Sequence, residues 1–338
     1  MGDAAGVGPE VIAACWPHAD VHEVCRPVVV GHPDILRRAV AQWRLPVEVV
    51  EIGGPEEARP TRTLIPVVRG CDDEVVAAPA ATVDARCGRA AYDCLTTAID
   101  WARGGRVDAI VTAPLHKAAL HLAGHEYPGH TEILAERCGV EQFAMMLYLG
   151  PQAALRGEAG LGVIHVTLHM ALRDVFANLT SAAIFEKVEL AHDVMRRLKR
   201  AVPRIAVAAL NPHAGESGLF GDEETQIIAP AVISAQEAGY DVAGPFPTDS
   251  LMVRARDGEF DAVVAMYHDQ GHIALKLLGM HRAVNVTLGL PIVRTSVAHG
   301  TAFDLAWQCK AEPSSMVEAI RTAALLVDRR VANGGRNA

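Results

Sequence analysis

The sequence predicts an α/β protein built on largely parallel sheets. Two patterns carry that reading: short apolar runs bounded by polar residues, as buried strands require, and stretches of helical spacing alternating with them along the chain. Length adds a third observation. At 338 residues the chain exceeds one ordinary core, so two domains of roughly 100–200 residues each are expected.

The chain opens on Gly2-Asp3-Ala4-Ala5-Gly6-Val7-Gly8-Pro9, a glycine-rich loop running into a helix, with Pro9 near its first turn. Such a loop can bring N–H groups to an anion, although glycines there are more often conformational. Pro27–Gly31 and Val47–Gly53 read as strands, with a helix over Ile35–Trp43 between them. Residues 54–86, rich in proline, alanine and charge, are expected to loop over the surface. A helix over Gly88–Arg103 leads to a buried strand from Val107 to Pro114. In Tyr127-Pro128-Gly129-His130-Thr131-Glu132, Thr131 is expected to cap a helix from Glu132 to Cys138.

Phe143–Leu149 and Gly162–His169 follow as strands, and a helix spans Ser181–Arg200. Ile205–Leu210 is a strand broken at Asn211-Pro212-His213, and Glu223–Ala238 is helical. Gly244–Asp249 is a turn ending on a carboxylate. Val263–Met266 is a buried strand that ends at Tyr267-His268-Asp269-Gln270-Gly271. A short helix carrying Lys276 comes next, then a strand ending at Asn285, then Gly289-Leu290-Pro291 and Arg294. A helix over Pro313–Val327 closes the chain, and the tail from Ala332 is expected to be mobile.

Three histidines share one setting. His169, His213 and His268 each stand just beyond an apolar strand, at the edge where open α/β sheets bind ligands. One such histidine is more often a hydrogen-bonded structural residue. Three in matching settings favour a divalent metal, since imidazole suits zinc and its neighbours and three ligands leave positions open. Asp249 is then a direct ligand or the carboxylate that orients one. His268, Lys276, Asn285 and Arg294 each adjoin an apolar strand or turn, as a site for a small, anionic, hydroxyl-bearing substrate requires.

The net charge of −9 argues against a nucleic-acid partner. No apolar run reaches the ~18 residues of a membrane span, and no signal peptide is expected. Seven cysteines without a C-x-x-C pair argue against disulfides and cysteine zinc sites, which fits a reducing cytoplasm. The G-x-G-x-x-G dinucleotide fingerprint is incomplete, so a nicotinamide cofactor would need another scheme. His299-Gly300-Thr301-Ala302-Phe303-Asp304 is the candidate, a small-residue loop followed by a carboxylate; alone it would be a mere helix start.

With these residues in place, the sequence resembles the 4-hydroxythreonine-4-phosphate dehydrogenase (PdxA) family. The motifs are GDAAGVGPE, APLHKAALHLAG, YPGHTE, HMALRDV, LNPHAGESGLFG, GPFPTDS, AMYHDQGH, NVTLGLPIVRTS and HGTAFDLA, in order over nearly the whole chain. The resemblance implies two α/β/α domains like those of isocitrate and isopropylmalate dehydrogenases, with the site in the cleft. The topology then assigns residues 1–135 and 290–338 to a first domain with the cofactor loop, and 136–289 to a second with the metal and dimer contacts. It implies a homodimer with shared sites and a divalent metal (zinc, magnesium, manganese or cobalt) on His169, His213 and His268, one of them donated across the dimer. Catalytic roles fall to these three with Asp249 and Lys276. Substrate contacts fall to His130, Thr131, Lys276, Asn285 and Arg294; Gly300, Thr301 and Asp304 match the NAD or NADP loop.

Two features depart from the family pattern. The family's first strand precedes the glycine loop, whereas here Met1 nearly adjoins it, so that strand is shortened or the start misassigned. The wording of APLHKAALHLAG and GLFGDEE is closer to a second branch, similar to D-threonate and D-erythronate 4-phosphate dehydrogenases. The activity implied is metal-dependent oxidation of a phosphorylated four-carbon hydroxy acid, followed by loss of CO₂ from the β-keto acid. Dehydrogenation of an unphosphorylated dihydrodiol carboxylate, or a metal-dependent lyase or hydrolase on the same residues, is the alternative.

Overall fold

The computed structural model describes residues 1–199 and 201–334. Its strands are β1 (Val29–Gly31), β2 (Glu48–Ile52), β3 (Leu64–Arg69), β4 (Ala109–Thr112), β5 (Ala144–Leu149), β6 (Leu161–His165), β7 (Ile205–Ala208), β8 (Val242–Phe246), β9 (Ala262–Ala265), β10 (Val284–Leu288) and β11 (Val293–Val297). The chain divides into two units, one of Met1–Glu141 with Leu290–Asp328, the other built on Gln142–Gly289.

In the first unit β1, β3 and β2 form a parallel sheet in that order, and β4 pairs in parallel with β11. Its core gathers Val11, Leu36, Ile65, Val67 and Trp16, with Trp307 and Met316 from the later segment. A helix over Ala85–Arg103 is capped by Asp84, whose carboxylate accepts the Arg86 N–H, and turns Cys87, Ala91, Cys94 and Leu95 inward.

The second unit has the strand order β10-β5-β6-β9-β7-β8. β6, β9, β7 and β8 run parallel, as expected, while β5 is antiparallel to both its neighbours, so the sheet is parallel over its larger part and mixed at β5. The helix Ser181–Lys199 buries Ile184, Val188, Ala191, Met195 and Leu198, one helical face. Each large aliphatic among them contributes about 1.5–3 kcal/mol. Among the described residues no helix is long and apolar enough to cross a membrane.

Several expectations need correction. Residues 54–86 are not all surface loop: β3 lies within them, at the centre of its sheet. Pro66 argues against a central strand, but the ladder to β1 begins only at Val67, so a single neighbour flanks the proline. The expected helix over Glu223–Ala238 is a π turn (Glu224–Ile228) joined to an α-helix (Ala229–Glu237). Asn285 lies inside β10 rather than at a strand end, and Arg294 inside β11. The strand expected to reach His169 stops at His165. The closing helix runs Ser314–Gly334, through the start of the tail expected to be mobile; residues 335–338 lie outside the described residues, as does Arg200.

Candidate functional site

In the second unit, the C-terminal ends of four neighbouring parallel strands each lead to one predicted residue. β6 leads to His169, β9 to His268, β7 to His213 and β8 to Asp249. Adjacent strands lie about 4.8 Å apart, so four turns leave one short stretch of sheet edge. These ends are laced together. Thr167 Oγ1 donates to the Met266 carbonyl at 2.7 Å. Gln270 accepts the Met266 N–H at 2.6 Å and donates to the Ala209 carbonyl at 2.6 Å and to Thr248 Oγ1 at 2.9 Å. One amide thus ties together β9, β7 and β8.

His268 opens the helix His268–Gly279, with His272 and Lys276 following at four-residue intervals on the same face. Its Nδ1 lies 2.7 Å from Asp269 Oδ1. A carboxylate only accepts, so the ring donates from Nδ1 and Nε2 is the nitrogen left for another partner. His272 stacks on His268 with ring centroids 3.9 Å apart and planes at 12°. Behind it His165, the last residue of β6, meets His272 Nδ1 through Nε2 at 3.2 Å. Gly271 makes room for this pair: a Cβ there would come within 2.5 Å of His165 Nε2 and Val163 Cγ1. The ring of His169 lies 6.1 Å from that of His268.

Crowded, desolvated imidazoles resist protonation. Burial, then the charge His272 would carry, pushes His165 down to about 3. Burial, then His268 and Lys276, pushes His272 down to about 4. Those two rings back the site rather than face it. The fit to a divalent cation rests on donor type and placement: two imidazoles at neighbouring strand ends, His169 and His268, with ring centroids 6.1 Å apart. His213 and Asp249 are exposed. Among the described residues no group of three or more His, Cys, Asp or Glu side chains converges to hold a metal as they stand.

His213 begins a turn in which His213, Ala214, Gly215, Glu216 and Ser217 are all left-handed, with φ of 53°, 55°, 77°, 44° and 57°. Each non-glycine residue there costs roughly 1–2 kcal/mol. Lys276 is half-buried, and Asn285 pairs across to Leu147 on β5.

The first unit carries a second set. Arg294 is 3 % exposed and donates from Nη2 to Thr112 Oγ1 at 2.7 Å. Burial lowers its pKa to about 10, against the opposing pull of Glu132, so the guanidinium stays charged at neutral pH. His130 is held well below its ordinary value by desolvation, then by the charges of Arg294 and the N-terminal ammonium. His130 is the first residue of the helix His130–Cys138, and Gly129 stands at its N-cap. Thr131 is therefore inside the helix and does not cap it: the turn ends two residues earlier than its hydroxyl suggested.

The glycine-rich loop packs on the 299–304 segment. Val7 N–H donates to the Thr301 carbonyl at 3.0 Å, and a Cβ on Gly6 would lie 2.9 Å from that oxygen. Thr301 is half-buried, Gly300 and Asp304 are exposed, and His116 stacks on Phe303 at 4.8 Å. No helix starts here. Sequence reasoning missed His165, His272, Gln270 and Glu224. Only His272 left a trace, standing one helical turn after His268.

The family described as "Pyridoxal phosphate biosynthetic protein PdxA" matches residues 23–323. A D-threonate 4-phosphate dehydrogenase of Salmonella typhimurium is 46% identical over 96% of each chain. The crystal structure of a 4-hydroxythreonine-4-phosphate dehydrogenase from Klebsiella pneumoniae superposes with a TM-score of 0.85 at 44% identity, covering 97% of this chain and 98% of that one. An isocitrate dehydrogenase from Methylococcus capsulatus shares the fold alone, with a TM-score of 0.50 at 14% identity over 98% and 87% of the two chains.

Proposed function

The chain belongs to the PdxA family, and from that premise we propose that it oxidises a four-carbon acid phosphate of the D-threonate or D-erythronate type, with metal assistance. It is a dehydrogenase acting on a hydroxyl group of a phosphorylated substrate, and hydride passes to a nicotinamide cofactor. The observation that carries the metal-assisted reading is the set of histidines placed at the ends of neighbouring parallel strands, with the rings of His169 and His268 6.1 Å apart.

In this reading His169, His213 and His268 are the metal ligands, with Asp249 as ligand or orienting carboxylate. One imidazole of the set is donated across a homodimer, and the enzyme works in the cytoplasm. When bound, zinc, magnesium, manganese or cobalt supplies Lewis acidity of the kind that brings a ligated water's pKa from 15.7 to about 7, or about 12 kcal/mol. A lone general base supplies only about 10²–10⁴-fold.

The side chains do the rest. Asp269 holds the His268 tautomer that leaves Nε2 open. Arg294 grips an anionic group of the substrate by its fork, and Lys276 serves as a point charge and proton relay. His130, Thr131 and Asn285 supply hydrogen bonds to hydroxyl or anionic oxygens. The 300–304 loop takes the adenine side of NAD or NADP, Asp304 accepting from a ribose hydroxyl. The β-keto acid formed then loses CO₂.

The test is a screen of 4-phospho-D-threonate, 4-phospho-D-erythronate and 4-phosphohydroxy-L-threonine with each nicotinamide cofactor, read by ultraviolet absorbance. Reduced cofactor is expected with a D-acid phosphate before the aminated substrate. No reduction with any pair, in metal-loaded protein, rejects the reading.

A further inference from the structure

A run of left-handed residues outside glycine persists only where its surroundings over-determine it. Around His213 that constraint does not come from a core. Of residues 212–220 only Gly215 is buried, while Leu219 and Phe220 are 72% and 48% exposed. It comes from Glu224, itself 3% exposed. Its Oε1 accepts the Leu210 N–H at 2.8 Å and the Asn211 N–H at 2.7 Å, and its Oε2 accepts from Asn211 Nδ2 at 3.0 Å. Glu224 is the first residue of the π turn, a geometry that re-aims a side chain relative to ordinary helical spacing. The far side of the turn closes through Phe220 N–H to the Gly215 carbonyl at 3.1 Å.

We propose that Glu224 is a positioning residue: its carboxylate holds the entry to the left-handed turn and so fixes where His213 presents its imidazole. The inference rests on the reading of His213 as a metal ligand and deepens it. His268 is aimed by ring packing and Asp269, whereas His213 sits on a turn whose entry is held by this buried carboxylate, with the half-buried Glu223 accepting from Asn211 Nδ2 at 2.6 Å beside it. The π turn is then part of the metal-binding apparatus, although none of its side chains need touch the ion.

The test is calorimetric titration of chelator-stripped full-length protein with Co²⁺, together with the Co²⁺ absorption spectrum, for wild type and for Glu224→Ala, Glu224→Asp, Glu224→Gln and His213→Ala. Groups that orient ligands are worth about 10–100-fold in metal affinity. Glu224→Ala and the shorter Glu224→Asp are expected to weaken Co²⁺ by about that factor and to alter its spectrum. Glu224→Gln keeps an Oε1 acceptor for both main-chain N–H groups but sets its own NH2 against Asn211 Nδ2, so its affinity is expected to fall between those of alanine and wild type. Should the alanine variant fail to fold, the aspartate variant decides. A folded Glu224→Ala or Glu224→Asp binding Co²⁺ as wild type does, while His213→Ala loses it, overturns the proposal. So does a glutamine variant as weak as alanine. If His213→Ala itself binds normally, the ligand reading falls first.

Discussion

Glu10 in the first unit and Glu224 in the second are both buried, and both stand at the start of a helical segment. Each accepts main-chain N–H groups from a stretch that has left-handed residues other than glycine nearby. Glu10 takes the N–H groups of Trp307 and Cys309 and the indole N–H of Trp43. Their settings differ. Near Glu10 the left-handed residues are isolated (Ala302, Trp307 and Cys309), and Ala306, Trp307 and Ala311 are buried among the core. Trp307 Nε1 also donates to the Ala4 carbonyl at 3.1 Å, and the Arg38 guanidinium lies 4.0 Å over its ring. Near Glu224 the left-handed residues are consecutive and their apolar neighbours are exposed. The same chemical device therefore serves the core in one unit and a presented side chain in the other.

The largest effect that tests this contrast is on stability. Glu10→Ala leaves three N–H donors without their acceptor, and each such loss costs about 1–3 kcal/mol. Urea unfolding is expected to show a loss of at least about 3 kcal/mol, beyond that of Glu224→Ala. That variant also strips three donors of their acceptor, but on Leu210 and Asn211, both half-buried, where water can replace the carboxylate more readily than at the buried Trp307 N–H. Equal losses in the two variants would erase the distinction.

Acid gives a smaller effect that sharpens it. In the folded chain His165 titrates at about 3 and His272 at about 4, against 6.5 for an unperturbed histidine. Between those values the unfolded chain binds more protons, so the metal-free protein loses stability as pH falls below about 6.5. His165→Phe should make that fall shallower, because one of the groups that must stay neutral is gone. An unchanged pH slope of the urea midpoint would mean that the imidazole stack does not carry the acid sensitivity.

Much of the second unit was legible because buried strands announce themselves as apolar runs, and the residue after each run is a candidate by position alone. His169, His213 and His268 were singled out that way. Asp249 was singled out as the end of a turn, and β8 before it (Val242–Phe246) was not expected as a strand, because Gly244 and Pro245 interrupt its apolar run. β3 was hidden by Pro66 and its charged, proline-rich flanks, and β11 by Pro291 and the arginine at its second position. Glu10 was not legible because its partners lie 297 and 299 residues away in sequence. The left-handed turn was equally hidden, since His213, Ala214, Glu216 and Ser217 have no intrinsic preference for that conformation. Thr131 misled because a hydroxyl near a helix start is a good cap only when it sits at the boundary, and here Gly129 does.

The measurement closest to the central claim is hydride transfer by protein stripped with a chelator, followed by stepwise return of Mn²⁺ or Zn²⁺ at saturating acid phosphate and cofactor. The account predicts no reduced cofactor in the stripped protein and recovery that saturates at one ion per chain. Full turnover without the ion would contradict it.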